Sequence, residues 1–454
     1  MYKAFILLTF LTGIISTKSC ERAAPEVYTK EAAAPQLIHK TAERLTDIII
    51  YDIFKPPVAS RIYAYTNLAA YETLRQQYPH YETLAGKLNG FKAVPQPENG
   101  LEYCFPVASI FSYITVSKAL TISVEDWDKY EEEMRQQYEQ MGIPDEVLAR
   151  SVAYGEQVAQ HVLAYAKADN YIETRAFRYT LTQVPGSWQP TPPNYANACE
   201  PQWNGIRPLT LDTCTQFTPK PAATYSLDPQ SEFYKLVMQV YDFNKNMTEE
   251  QRAIAYFWDD NAVVTNVKGH VMFTEKKMTP PGHWLGIVET LAKHKNLDMM
   301  QSLQAYTLTS VALYDAFIAC WDEKYRSARI RPITVINENI DQDWQPFLET
   351  PPFPEYVSGH SAISAAAGTV LTHLFGNNVA FTDSTEFNYG HGVRSFKSLK
   401  DAYMETSLSR VLGGIHFWDG AFEGTHQGEK VGEWVWSKLG TADKMQKPEI
   451  LAHQ

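Results

Sequence analysis

Cysteine is scarce in this chain: 5 in 454 residues, at Cys20, Cys104, Cys199, Cys214 and Cys320. No pair has the spacing of a zinc site, which removes the commonest cysteine-based metal centres. Net positive charge is missing as well. The balance is -12 at pH 7, the wrong sign for a nucleic-acid binder, so any anion the protein holds must meet positive charge gathered locally. Beyond residue 20 no apolar run is long enough to cross a bilayer. Alternating strand patterns closed by hairpin turns do not stand out, which argues against a sheet-based fold, and no internal repeat is evident.

What is present is helical. With 44% hydrophobic and 20% charged residues, the chain has the composition of a soluble globular protein with ample core. Its length allows one large domain or two to three ordinary ones. The segments "VASRIYAYTNLAAYETLRQQ", "DEVLARSVAYGEQVAQHVLAYAKA" and "TEEQRAIAYFWDD" place apolar residues at three- and four-residue spacing, with few helix breakers inside. The expected fold is all-α. One stretch differs: residues 183–222 carry eight prolines together with Trp188 and Trp203, which reads as a connector that also drapes over a site. The expected organisation is residues 1–20 as an export signal, a helical half 21–225 ending in that loop, and a half 226–454 that holds the unusual residues, with both halves in one compact domain.

The first segment, "MYKAFILLTFLTGIISTKSC", has the basic start, apolar stretch and small polar end of an export signal. Cys20 directly after it resembles a bacterial lipoprotein attachment site, although Thr17 and Lys18 depart from the usual residues there. The expected location is therefore outside the cytoplasm: periplasmic, secreted or lipid-anchored at Cys20. An oxidising compartment would permit a disulfide between Cys199 and Cys214, whereas Cys320 sits in an apolar helical pattern and reads as a buried thiol.

The chemistry concentrates in three strings. In "PPFPEYVSGHSAISAAAGTVLTHL", a proline-rich approach gives way to helix-forming alanines, which makes Ser358 an N-cap with Gly359 and His360 in the first turn. Free N–H groups and the helix dipole attract an anion there. In "LYDAFIACWDEKYRSARIRP", Leu313, Ala316, Phe317, Cys320 and Trp321 form an apolar stripe, Lys324 lies on nearly the same face, and Arg331-Pro332 follow. In "METSLSRVLGGIHFWDG", a Gly-Gly break after Arg410 lets the chain turn so that Arg410 and His416 can face one pocket. Each string alone has a bland reading as a solvated helix end or a core histidine. Together they bring two arginines, a lysine, a helix N-terminus and two histidines, a set suited to a tetrahedral oxyanion.

These strings resemble the shared signature of the type 2 phosphatidic acid phosphatases, the bacterial non-specific acid phosphatases and the vanadium-dependent haloperoxidases, complete at Lys324, Arg331, Pro332, Ser358, Gly359, His360, Arg410 and His416. Trp321 and Phe353 stand at the offsets of chloroperoxidase-type enzymes. Overall, residues from about 226 onward look like the vanadium-dependent iodoperoxidases of marine flavobacteria. The resemblance implies an all-α helix-bundle fold, a vanadate cofactor, hydrogen peroxide and halide (iodide, with bromide as a second choice) as substrates, and small organic acceptors. It also implies roles: His416 as the metal ligand; Lys324, Arg331, Ser358, Gly359 and Arg410 around the oxyanion; His360, Lys324 and His416 in catalysis; Trp321 and Phe353 at the halide pocket. The family usually has an aspartate four residues after the histidine matching His416, to orient it. Here that position is Gly420, and Asp419 lies one residue early, so either the turn absorbs the shift or another acceptor orients the ring. Two other readings stay open: an exported acid phosphatase with a phosphohistidine intermediate, and an idle oxyanion-binding protein.

Overall fold

The computed structural model describes residues 24–268 and 270–440. The export-signal segment and Cys20 lie outside them. The first half contributes α1 (Pro25–Ala32), α2 (Pro35–Tyr51), α3 (Pro56–Leu74), α4 (Phe105–Leu120), α5 (Val124–Gln140), α6 (Asp145–Lys167) and the short α7 (Tyr171–Thr174). The second contributes α8 (Glu232–Lys245), α9 (Glu249–Phe257), α10 (Pro280–Lys295), α11 (Met299–Ser327), α12 (Pro332–Asn339), α13 (Gly359–Phe375), α14 (Leu399–Leu412) and α15 (Trp418–Leu439). Proline opens many of these helices, α3, α10 and α12 among them. Its fixed φ suits the first turn, where its missing N–H costs nothing.

Two small hairpins interrupt the helices, β1 (Val263–Lys268) with β2 (Val271–Lys276) and β3 (Phe381–Asp383) with β4 (Arg394–Phe396). β3 and β4, at three residues each, are too short to leave an alternation, and β1 and β2 stand as a lone pair outside any larger sheet. Neither adds a layer, and the architecture is helical as expected.

The core runs through α3, α11 and α13, with one apolar cluster extending from Tyr28 to Leu439. α11 departs from the expected apolar stripe: between Met299 and Lys324 almost every side chain is buried, Asp315 included. A helix buried all round lies at the centre of a bundle. A capping box between Asp298 and Gln301 starts it, and Ala328 in left-handed conformation ends it.

α13 lies along α15 at a close approach. Cβ atoms added at Gly424, Gly428 and Gly432 would come within 2.8, 2.0 and 2.7 Å of the Ser358, Ala362 and Ala366 carbonyl oxygens. Glycines four apart on α15 thus let one helix backbone rest on the other. The contact fixes the N-terminus of α13 beside the N-terminus of α15, where His416 ends the preceding turn.

The proline-rich loop is anchored onto α11. The buried Asp315 carboxylate accepts N–H bonds from Leu209, Thr210 and Leu211 at 2.7, 2.7 and 3.2 Å. Earlier in the loop, the Trp188 backbone N–H donates to the Ala328 carbonyl at 2.7 Å and the Cys199 backbone N–H to the Pro352 carbonyl at 2.9 Å. Cys199 and Cys214 are not joined; both carry free thiols, as do Cys104 and the buried Cys320.

Candidate active site

Ser358 is the N-cap of α13, and its side chain accepts from Ser361 N–H at 3.3 Å. Gly359 and His360 therefore occupy the first turn, where N–H groups have no intrahelical acceptor. Gly359 lies against the indole of Trp321: a Cβ there would sit 3.2 Å from Trp321 Cζ3. Trp321 is held by its own N–H, which donates to the Cys199 carbonyl of the proline-rich loop at 3.1 Å. Its ring packs on Phe353 with centroids 5.0 Å apart. Trp321 and Phe353 thus form one apolar wall.

Behind that wall stand three cations. Lys324, one turn past Trp321, is fully buried and donates to the Pro354 and Glu355 carbonyls at 3.0 and 3.1 Å. Arg331, also fully buried, donates through Nε to the Phe353 carbonyl at 2.9 Å and through Nη1 to the Ile415 carbonyl at 2.7 Å. Arg410 comes from the last turn of α14 and donates through Nη1 to the Trp258 carbonyl at 2.7 Å. A solvated end, the bland reading of the Lys324–Arg331 string, is ruled out by this burial.

The Gly-Gly break after α14 turns the chain. Gly414 takes φ +76°, which a side chain would resist, and the chain turns back so that His416 meets Arg331. Its Nε2 lies 3.2 Å from Arg331 Nη1. On the other side of the ring, Nδ1 lies 2.8 Å from Glu355 Oε1. Asp419 does not reach the imidazole. Both its oxygens bind Arg329 Nη1, at 2.8 and 2.9 Å.

The electrostatics follow from crowding like charges in a dry space. Burial pushes the Lys324 amine down to about 7, with Arg331 and Arg410 adding to the effect. Arg331 is lowered to about 9, chiefly by burial, with Glu355 opposing and Arg410 reinforcing. His360 and His416 are both held well below the usual imidazole range by burial and by these same cations. Several donors remain buried without partners, among them Arg331 Nη2 and Arg410 Nε; His360 Nε2 is likewise unpaired. The chain has thus gathered buried positive charge with spare donors in one place inside an acidic protein.

Comparison with known proteins agrees with that picture. A family model described as "VCPO second helical-bundle domain" matches residues 304–342 and 337–442, the stretch that carries the three strings. A crystal structure of a bacterial vanadium-dependent iodoperoxidase is 43% identical, with a TM-score of 0.84, covering 90% of this chain and 97% of that one. The chain belongs to the vanadium-dependent haloperoxidases. Holo- and apo-type structures of a bacterial vanadium-dependent chloroperoxidase are each 16% identical, with TM-scores of 0.65 and 0.63. They cover 92% and 85% of this chain and 96% and 94% of theirs, and show the shared fold alone. Among curated proteins, none matches.

In this haloperoxidase, sequence reasoning missed two sets of residues. Glu355 is one; it lies inside the quoted proline-rich approach, where a lone carboxylate was the available signal. The other is a buried network beside His360. Asp260 Oδ2 stands 3.9 Å from His360 Nε2, and Asp260 Oδ1 is 2.9 Å from His283 Nδ1. The other ring nitrogen of His283 is 2.9 Å from Asp383. Fully buried yet flanked by two carboxylates, His283 has its pKa raised well above the ordinary value, although burial alone would lower it.

Proposed function

We propose that this haloperoxidase holds vanadate between Lys324, Arg331, Ser358, Gly359, Arg410 and His416, and uses hydrogen peroxide to oxidise iodide to hypoiodous acid. The observation that carries the reading is the cluster of three buried cations with donors left over. Burial disfavours the charge on all three, the two arginines add to it at Lys324 and Arg410 adds to it at Arg331, and a tetrahedral oxyanion relieves all three at once. The donor count fits such a group. Lys324 spends two of its three N–H bonds on carbonyls, leaving one. Arg331 spends Nε and Nη1 on protein acceptors and keeps Nη2. Arg410 keeps Nε, and the first turn of α13 adds the Gly359 N–H.

When bound, vanadate supplies a Lewis acid that makes a peroxide oxygen electrophilic toward halide without changing its own oxidation state. The chain supplies the rest. His416 presents Nε2 as the metal ligand, with Arg331 beside it. Lys324 would offer its remaining N–H to the bound peroxide. His360, whose charged form is disfavoured by burial and by the surrounding cations, would accept the proton of incoming peroxide and later return it. Trp321 and Phe353 limit water on the halide side. Iodide is favoured because the 43%-identical relative is an iodoperoxidase and because iodide is the easiest halide to oxidise. Bromide is the next candidate, and small organic molecules are the acceptors of the hypohalous acid. The segment 1–20 supports an exported enzyme, periplasmic, secreted or anchored through Cys20.

The test is reconstitution of the metal-free protein with orthovanadate, followed by peroxide-dependent oxidation of iodide, bromide and chloride, with phosphate-ester hydrolysis alongside. Iodide oxidation that requires vanadate, and is lost with vanadate retention in His416→Ala, supports the reading. Ester hydrolysis without vanadate, or full vanadium content in His416→Ala, rejects it.

A further inference from the structure

His416 has a defined tautomer in this structure. Arg331 Nη1 stands 3.2 Å from its Nε2, and a guanidinium only donates. Nε2 is therefore the acceptor, and the ring proton sits on Nδ1, 2.8 Å from Glu355 Oε1. The same oxygen accepts the Phe417 backbone N–H at 3.1 Å. One carboxylate oxygen thus grips both the imidazole and the backbone that follows it. Its other oxygen lies 3.2 Å from Arg329 Nη1. Arg329 is braced in turn by Asp419 and packs over the rings of Phe233, Tyr356 and Phe417.

Space for this arrangement exists because residue 420 has no side chain. A Cβ on Gly420 would lie 2.4 Å from Glu355 Oε1, closer than Cβ atoms come to a neighbour, and 3.1 Å from its Cδ. An occupied position 420 and the present position of the Glu355 carboxylate exclude each other. A carboxylate borne by residue 420 would begin in the space that Glu355 now fills.

We propose that Glu355 is the positioning residue for His416, that Gly420 is the cavity that admits it, and that the two positions are exchangeable hosts for one orienting carboxylate. Glu355 holds the proton on Nδ1 and so aims the Nε2 lone pair into the oxyanion pocket. Asp419 acts one step further out, by holding the Arg329 that holds Glu355. This inference rests on His416 being the vanadate ligand. A purely structural alternative would make Glu355 no more than the buried partner of Arg329.

The experiment is nitrogen-15 NMR of histidine-labelled, metal-free protein, read together with titration by orthovanadate. Wild type should show Nδ1–H and a bare Nε2 at His416. Glu355→Gln keeps an oxygen acceptor in place and should keep that tautomer. Glu355→Leu should lose it and weaken vanadate binding roughly 10- to 100-fold, the usual effect of losing the partner of a metal-ligating histidine. The double variant Glu355→Ala/Gly420→Asp should restore Nδ1–H and most of the affinity. It also carries the test if Glu355→Leu does not fold, because loss of Nδ1–H in the double variant overturns the proposal. So does a folded Glu355→Leu that keeps Nδ1–H and binds vanadate within about threefold of wild type. The tautomer is read without vanadate. If instead the ligand assignment were wrong, His416→Ala would bind vanadate normally while the tautomer results stood.

Discussion

Replacing Arg331 by lysine keeps the charge and removes the fork. In the native pocket the guanidinium satisfies the Phe353 and Ile415 carbonyls through Nε and Nη1, while Nη2 remains free for an oxyanion. A lysine amine at the same place is a point donor and cannot meet both carbonyls while still reaching the pocket. Whichever buried carbonyl it abandons costs about 1–3 kcal/mol of folding stability. The lost charge-assisted bond to the oxyanion is worth about 1.5–3 kcal/mol, or roughly 10- to 150-fold in vanadate affinity. The Coulomb attraction survives, so binding should weaken without vanishing. Calorimetric titration of the metal-free variant with orthovanadate, with urea unfolding in parallel, reads the two effects separately. If affinity stays within about threefold of wild type while stability falls, Arg331 is a structural brace and the argument from its free Nη2 fails.

Trp321→Ala and Phe353→Ala should change the ratio of iodide to bromide turnover more than they change vanadate affinity, because the wall they form limits water rather than binding charge; parallel kinetics and titration decide it. Phosphate should slow loading of the metal-free protein with vanadate, since Lys324, Arg331 and Arg410 recognise charge and shape; reconstitution rates that ignore high phosphate contradict this picture of the pocket. Lys324 has a folded pKa of about 7, below that of a free amine, so the unfolded chain binds the extra proton between there and about pH 10. Its contribution to the stability of the metal-free protein therefore rises with pH over that window, and the unfolding free energy of wild type minus Lys324→Met should climb; a flat difference counts against the buried amine. Gly428→Ala drives a Cβ to 2.0 Å from the Ala362 carbonyl, which should separate α13 from α15, cost about 1–3 kcal/mol by urea unfolding and weaken vanadate binding through the displaced N-terminus of α13; unchanged stability would mean that the seam is slack.

Much of this protein could be read along the chain because the signals involved are local. Helical spacing, prolines at helix starts and the Ser358 cap depend on neighbours within a few residues, and they placed Gly359 and His360 correctly in a first turn. The Gly413-Gly414 break likewise announced a turn before His416. What the chain could not announce was which distant group would meet each of these. The apolar stripe expected on α11 became a helix buried all round because α3, α10, α13, α15 and the proline-rich loop pack around it. The pairing of His416 with Glu355 joins residues 61 positions apart, and it depends on a void at Gly420 that nothing near Glu355 encodes. Asp260, His283 and Asp383 come from the connection after α9, from α10 and from β3, and look unrelated in sequence. Backbone conformation is decided by short-range sterics and hydrogen bonds, so sequence patterns carry it. The partner of a buried charge is decided by which segments pack together and how much space they leave, and that exists only once the chain has folded.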